Sequence, residues 1–133
     1  MNDEELAAGL ALTPGYRYAD VVGNRLYLAG QVPLVADGKL IGQQDVTAQT
    51  EQCLANLFAV VAANGFDRAD IHQLTIYVVG RHRNLTDAWH VVTKGFDNNV
   101  PPATLLGITV LGYEDQLVEI DAQVERSSDS NGR

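Results

Sequence analysis

The chain has 133 residues, 46% of them hydrophobic and 20% charged, with a formal net charge of -8. That length supports one hydrophobic core, so a single domain over residues 1–133 is expected. No apolar run approaches the roughly 18 residues of a membrane helix, the acid surplus repels phosphate backbones, and a lone cysteine, Cys53, allows no internal disulfide. These features predict no membrane span, no nucleic-acid partner and a reducing, cytoplasmic setting.

The first residues, "MNDEELAAGLAL", carry acids where an export signal needs Lys or Arg, and Gly9 breaks their apolar part. Strands are predicted over 17–22 and 26–29, around a turn at Gly23 and Asn24, residues that tolerate positive φ. A flap over 34–41 follows, built on the turn pair Asp37 and Gly38. Over 45–65, Val46, Cys53, Leu54, Leu57, Phe58 and Val61 recur at helical spacing, with Asp45 as N-cap and Gly65 as stop.

"IHQLTIYVV" reads as a strand with Leu74, Ile76 and Val78 on one side. A second helix is predicted behind it, capped by Asn84, with Leu85, Trp89, Val92 and Phe96 as its buried stripe. Pro101 and Pro102 end that helix and open an apolar strand over 103–111. After the polar turn "GYEDQ", a last strand over 117–124 alternates Val118, Ile120, Ala122 and Val124 with Leu117, Glu119, Asp121 and Gln123. The tail "ERSSDSNGR" is polar and predicted to be disordered from 126 onward.

The order ββαβαββ is an α+β fold: a mixed sheet with two helices, enough to cover one face only. The strand over 103–111 is apolar on both faces, so a second copy of the chain is the expected cover for the other.

Phosphate-loop, dinucleotide, zincin and nucleophile-elbow motifs are absent. His72, His82 and His90 are too scattered for a metal triad, and Cys53 falls on the buried helical stripe. No metal site is predicted. Glu119 lies within a strand on the face left open, where a carboxylate either needs a partner or stays solvated, as Asp121 at the same parity allows. Tyr16 and Tyr18 precede the first strand.

Four ordered blocks, "GNRLYLAGQVPL", "QTEQCLANLFAVVAANGFDRADI", "PPATLLG" and "VEIDAQV", resemble the Rid family, the reactive intermediate deaminases also called YjgF proteins, over about 15–125. The resemblance implies a chorismate-mutase-like fold, assembled as a homotrimer with a small-molecule cleft at each subunit interface and no cofactor. Deaminases of this family hydrolyse enamines and imines, such as those from 2-aminoacrylate, to 2-keto acids and ammonia. By motif, the water-holding glutamate corresponds to Glu119, the backbone donors to Gly30 and Leu106, and the tyrosine to Tyr16.

One family feature is missing. The arginine that grips the substrate carboxylate belongs in Pro-Ala-Arg-Ser, and here the text reads Pro102, Ala103, Thr104, Leu105. A hydroxyl offers one short donor in place of a forked cation; losing two charge-assisted bonds of about 1.5–3 kcal/mol each corresponds to roughly 100-fold or more. The family's helix asparagine has no obvious match, His90 being nearest, and Arg17 is the substitute cation offered by the sequence. The expectation is a hydrolase of an arginine-lacking subgroup with an altered substrate. The alternatives are a trimeric metabolite-binding protein using the same cleft and, disfavoured by the acidic balance, an endoribonuclease.

Overall fold

The computed structural model describes residues 1–127. Two short strands, β1 (Ala19–Val22) and β2 (Arg25–Leu28), form the opening hairpin, and only Gly23 of the turn pair takes a positive φ, 59°. The flap is present as an isolated bridge between Leu34 and Leu40. Helix α2 (Val46–Ala63) follows, because Asp45 accepts a hydrogen bond from the Ala48 amide at 3.0 Å and Gly65, at φ 84°, turns the chain away beyond Asn64. It is preceded by a short helix, α1 (Asp3–Ala7), which the sequence reading left out; Asn2 and Glu5 cap it reciprocally. Glu5 docks it on α2, accepting from Asn64 Nδ2 at 2.9 Å.

Strand β3 (Ile71–Val79) leads into helix α3 (His82–Gly95), then strand β4 (Ala103–Ile108) and strand β5 (Val118–Glu125). The sheet order is β1-β2-β5-β3-β4, with β3 and β4 parallel and every other pair antiparallel. This is the mixed α+β architecture that the order of elements predicts, one sheet with two main helices.

The layering follows from side-chain parity. Leu74, Ile76 and Val78 of β3 and Val118, Ile120, Ala122 and Val124 of β5 are all buried and form one core with Cys53, Leu54, Leu57 and Val61 of α2 and Ala88, Val91 and Val92 of α3. The opposite parity carries Glu119 and Asp121 beside Tyr77 and Thr75, with Leu106 and Thr104 next across the sheet. Among the described residues, α2 and α3 both pack on the other side, and neither covers this second face. Tyr27 and Leu106 stand on it 53% and 41% exposed.

Three sequence expectations are corrected. Asn84 does not cap α3: Arg81 holds the N-cap position without a side-chain bond, while Asn84 lies inside the first turn and donates to the Val79 carbonyl at 2.9 Å. Strand β4 stops at Ile108 because β3, its only neighbour, ends at Val79, the partner of Ile108; Val110 is consequently 76% exposed. The chain beyond 124 starts ordered: Glu125 closes β5, and Arg126 donates from its amide to Asn24 at 2.8 Å and lies over the Phe66 ring at 4.3 Å. The remainder of the predicted tail, 128–133, lies outside the described residues.

Candidate functional site

Glu119 is the second residue of β5, directly opposite Tyr77. The segment after β2 crosses its end: Gln31 donates to the Ile120 carbonyl at 2.7 Å and accepts from the Ile120 amide at 3.0 Å. That exchange presses the backbone of Gly30 against the Glu119 carboxylate, so that a Cβ at position 30 would stand 2.8 Å from Glu119 Cδ and nearer still to Oε2. A side chain at position 30 would therefore force the Glu119 carboxylate to shift from this place, and the glycine leaves it room.

The other carboxylate oxygen, Oε1, accepts from Gln116 Nε2 at 3.2 Å. Gln116 is 3% exposed and sits at the end of the turn whose polar text reads "GYEDQ". Its second amide hydrogen goes to the Val118 carbonyl at 3.0 Å, and its oxygen accepts from the Tyr113 amide at 3.1 Å. The turn is held from α2 by Gln49, which donates to the Asp115 carbonyl at 3.1 Å and accepts from the Leu117 amide at 2.7 Å. Tyr16 closes the group, its hydroxyl 3.4 Å from that of Tyr113.

The electrostatics follow from burial. Desolvation raises the Glu119 pKa above its ordinary value of 4.5; the Gln116 hydrogen bond pulls it back down, and the nearby charge of Asp121 raises it. Burial raises Asp121 too, against the bond from its neighbour's amide on Ala122. Burial, the bond to Tyr113 and the field of Glu119 all push the Tyr16 phenol upward, so it remains a neutral donor. Neither Glu119 nor Asp121 has a basic partner among the described residues, where the recorded ion pairs are Arg17 with Asp20 and Arg25 with Glu125.

The structure thus brings together Glu119, Gly30 and Tyr16, and adds Gln116 and Tyr113, which sequence reasoning missed. Their only signal was a polar turn, with nothing to say that its glutamine folds inward. Leu106 shares the face, across Tyr77 from Glu119. Thr104 is exposed on the same face but sits in the next row, opposite Thr75 and, beyond it, Asp121.

Two expected contributors lie elsewhere within the protomer. His90 is exposed on α3 and lines a groove of about 460 Å³ with Thr47, Phe58, Arg68 and Lys94, on the helix side of the sheet. Arg17 is paired with Asp20 at 3.6 Å and largely solvated, at the rim of the depression that also holds Tyr16 and Ala29. Cys53 packs behind the acid with its thiol on the Val118 carbonyl at 3.5 Å, and burial keeps its pKa well above the ordinary value, as suits a core residue. A larger groove, about 530 Å³, is lined by Arg68, Phe96, Pro101 and Pro102 and likewise does not include Glu119. On the open side, a shallow depression of about 320 Å³ runs from Tyr16 and Tyr27 to Ala29, the residue before Gly30.

A mixed sheet backed by two helices, with an acid set against a glycine backbone on its bare face, defines the class as small α+β domains of the Rid type. The comparisons agree. A family model described as Endoribonuclease L-PSP matches residues 9–126, and the chain belongs to this family, the Rid/YjgF proteins. A RutC family protein of Sulfurisphaera tokodaii is 30% identical over 105 residues, 79% of this chain and 82% of the relative. Among solved structures, E. coli TdcF with bound serine is 25% identical with a TM-score of 0.79, over 92% of this chain and 95% of that one. The E. coli YjgF gene product is 27% identical with a TM-score of 0.77, over 92% and 95%.

Among the described residues no helix is long and apolar enough to cross a membrane, and no group of three or more His, Cys, Asp or Glu is placed to hold a metal ion.

Proposed function

We propose that this chain is a hydrolase of enamine or imine metabolites, releasing ammonia, with its site completed between copies of a homotrimer and Glu119 orienting the attacking water. The observation that carries the reading is the Glu119 carboxylate, half-buried and fixed on one oxygen by Gln116 and on the other side by Gly30. A carboxylate so held can accept a proton from water without first losing its orientation. Tyr16, Thr104 and the backbones of Gly30 and Leu106 hold the substrate. β4 is an edge strand, leaving half its backbone donors and acceptors without a strand partner. The uncovered face carries Tyr27 and Leu106, which supports a second copy as its cover.

The substrate differs from an α-imino acid. Position 104 carries a hydroxyl, and Glu119 and Asp121 lie on one face with no basic partner among the described residues. Coulomb's law then favours a neutral or cationic nitrogen compound over one bearing a carboxylate. The test is ammonia release from a panel of freshly generated enamines, with and without a carboxylate, run on the parent and on Glu119→Gln. The reading requires turnover that Glu119→Gln abolishes. Light scattering at micromolar concentration tests the assembly, and a monomer mass would remove the inter-subunit cleft.

Thr104 also favours a second reading, in which the same cleft binds a metabolite without turning it over. The relative TdcF with bound serine supports ligand binding as such. Thermal stabilisation by ligand that survives in Glu119→Gln, with no product formed, would select this reading. A net charge of -8 opposes the ribonuclease activity suggested by the family description.

A further inference from the structure

We infer that Gln116 is a positioning residue for the Glu119 carboxylate, holding Oε1 so that Oε2 alone is left for water. The geometry leaves the amide no freedom. The Tyr113 N–H at 3.1 Å can only donate, so the Gln116 oxygen must face it and the amino group must face Glu119. Both amino hydrogens are then used, one on Glu119 Oε1 at 3.2 Å and one on the Val118 carbonyl at 3.0 Å. A side chain 3% exposed with every donor and its acceptor engaged cannot rotate away without leaving buried polar groups unpaired.

The chain builds this support from two sides. The Gln116 amide closes the turn onto the Tyr113 carbonyl at 3.1 Å, with Asp115 at a φ of 68°, and Gln49 of α2 fixes the carbonyl of Asp115 and the amide of Leu117. Gln116 therefore meets Glu119 as part of a held turn.

A donor on a carboxylate favours the ionised form, which is the form that can take a proton from water. The other groups facing Glu119 act in the opposite direction or are neutral. Asp121 on the same strand and desolvation raise its pKa, while Tyr16 from the segment before β1 and Cys53 from α2 are uncharged donors at neutral pH. Removing Gln116 takes away the one side-chain interaction recorded as holding the acid in its ionised form.

The kinetic side of this inference rests on the hydrolytic role proposed for Glu119; the structural side does not. The experiment follows the Glu119 carboxyl resonance by ¹³C NMR across pH, identified by its loss in Glu119→Gln, in the parent, Gln116→Met and Gln116→Glu. Methionine keeps the length and removes both donors. Glutamate keeps an acceptor for Tyr113 and turns a donor toward Glu119 into a like charge.

The Glu119 titration is expected to move to higher pH in both variants, further in Gln116→Glu. On any enamine the parent turns over, kcat at neutral pH should fall about 10-fold or more in Gln116→Met with little change in KM, and the acid limb of the pH–rate profile should shift upward with the NMR titration. An unmoved titration in a folded variant overturns the inference whatever the activity. If Gln116→Met does not fold, Gln116→Glu alone decides it by the same resonance. A parent without activity on any enamine defeats the proposed function and leaves the titration to decide the positioning role.

Discussion

Gly30 and Glu119 meet backbone to carboxylate: a methyl on Gly30 would lie 2.8 Å from Cδ of the acid, a distance that Cβ contacts essentially never show. Making room requires the carboxylate, which Gln116 holds at 3.2 Å, to shift. Gly30→Ala should therefore destabilise the protein by about 1–3 kcal/mol, the usual cost of overpacking, and reduce any Glu119-dependent activity at least 10-fold. In a denaturant-melt cycle, Glu119→Ala should recover most of that stability in the Gly30→Ala background, because the group that clashes is gone. Additive losses would show that the two residues do not touch.

Burial gives Glu119 and Asp121 pKa values raised in the fold, and the sign of the stability effect follows. A carboxyl whose pKa is higher folded than unfolded contributes stability below the unfolded value, and that contribution is lost as pH rises through the folded value. Glu119→Gln and Asp121→Asn should each raise Tm at neutral pH, with the advantage shrinking as pH falls toward the ordinary values of 4.5 and 3.8. Melting curves between about pH 4 and 8 check it. A Tm that drops at neutral pH would mean that the carboxylates are net stabilising.

Thr104 stands exposed on the open face, opposite Thr75 and one residue pair from the Glu119 row. Thr104→Arg supplies a forked cation where the sequence has a hydroxyl, and the side chain meets no buried neighbour to exclude it. Hydrolysis of 2-aminoacrylate should appear or rise by about 10-fold or more, the effect of one charge-assisted bond, with the change mainly in KM. Unchanged turnover with an intact oligomer would separate this position from carboxylate recognition.

Helix α3 begins at Arg81, a cation at the positive end of the helix with no side-chain cap bond. Arg81→Asp should stabilise the protein by about 0.5–2 kcal/mol through a new cap and a better dipole match. Asn84→Ala, which removes the bond to the Val79 carbonyl, should cost about 1 kcal/mol. Urea melts of the two variants distinguish a helix start that lacks its cap from one already satisfied by Asn84.

Periodicity and turn chemistry made most of the fold legible. The stripe from Val46 to Val61, the Asp45 cap and the alternation from Val118 to Val124 are local patterns, and a chain must bury such stripes whatever its partners. Glu119 stood out from strand parity alone, as a carboxylate on the face left open, whereas Gly30 and the site role of Tyr16 were reachable only through the resemblance of short blocks. The end of β4 was not legible, because it depends on where β3 runs out, and Asn84 reads as a cap until the helix is seen to start three residues earlier.

By itself the sequence determined the two-helix, one-sheet arrangement, the face that would be left bare and the absence of an arginine before Leu105. Only the tertiary structure decided that a turn glutamine folds inward to hold Glu119, that Gly30 is the wall on its other side, that His90 belongs to the helix side of the sheet and that Arg17 is paired with Asp20. The physical reason is range. Hydrophobic periodicity is a property of neighbouring residues, whereas the bonds that aim a side chain join segments far apart in the chain and exist only once the sheet has brought them together.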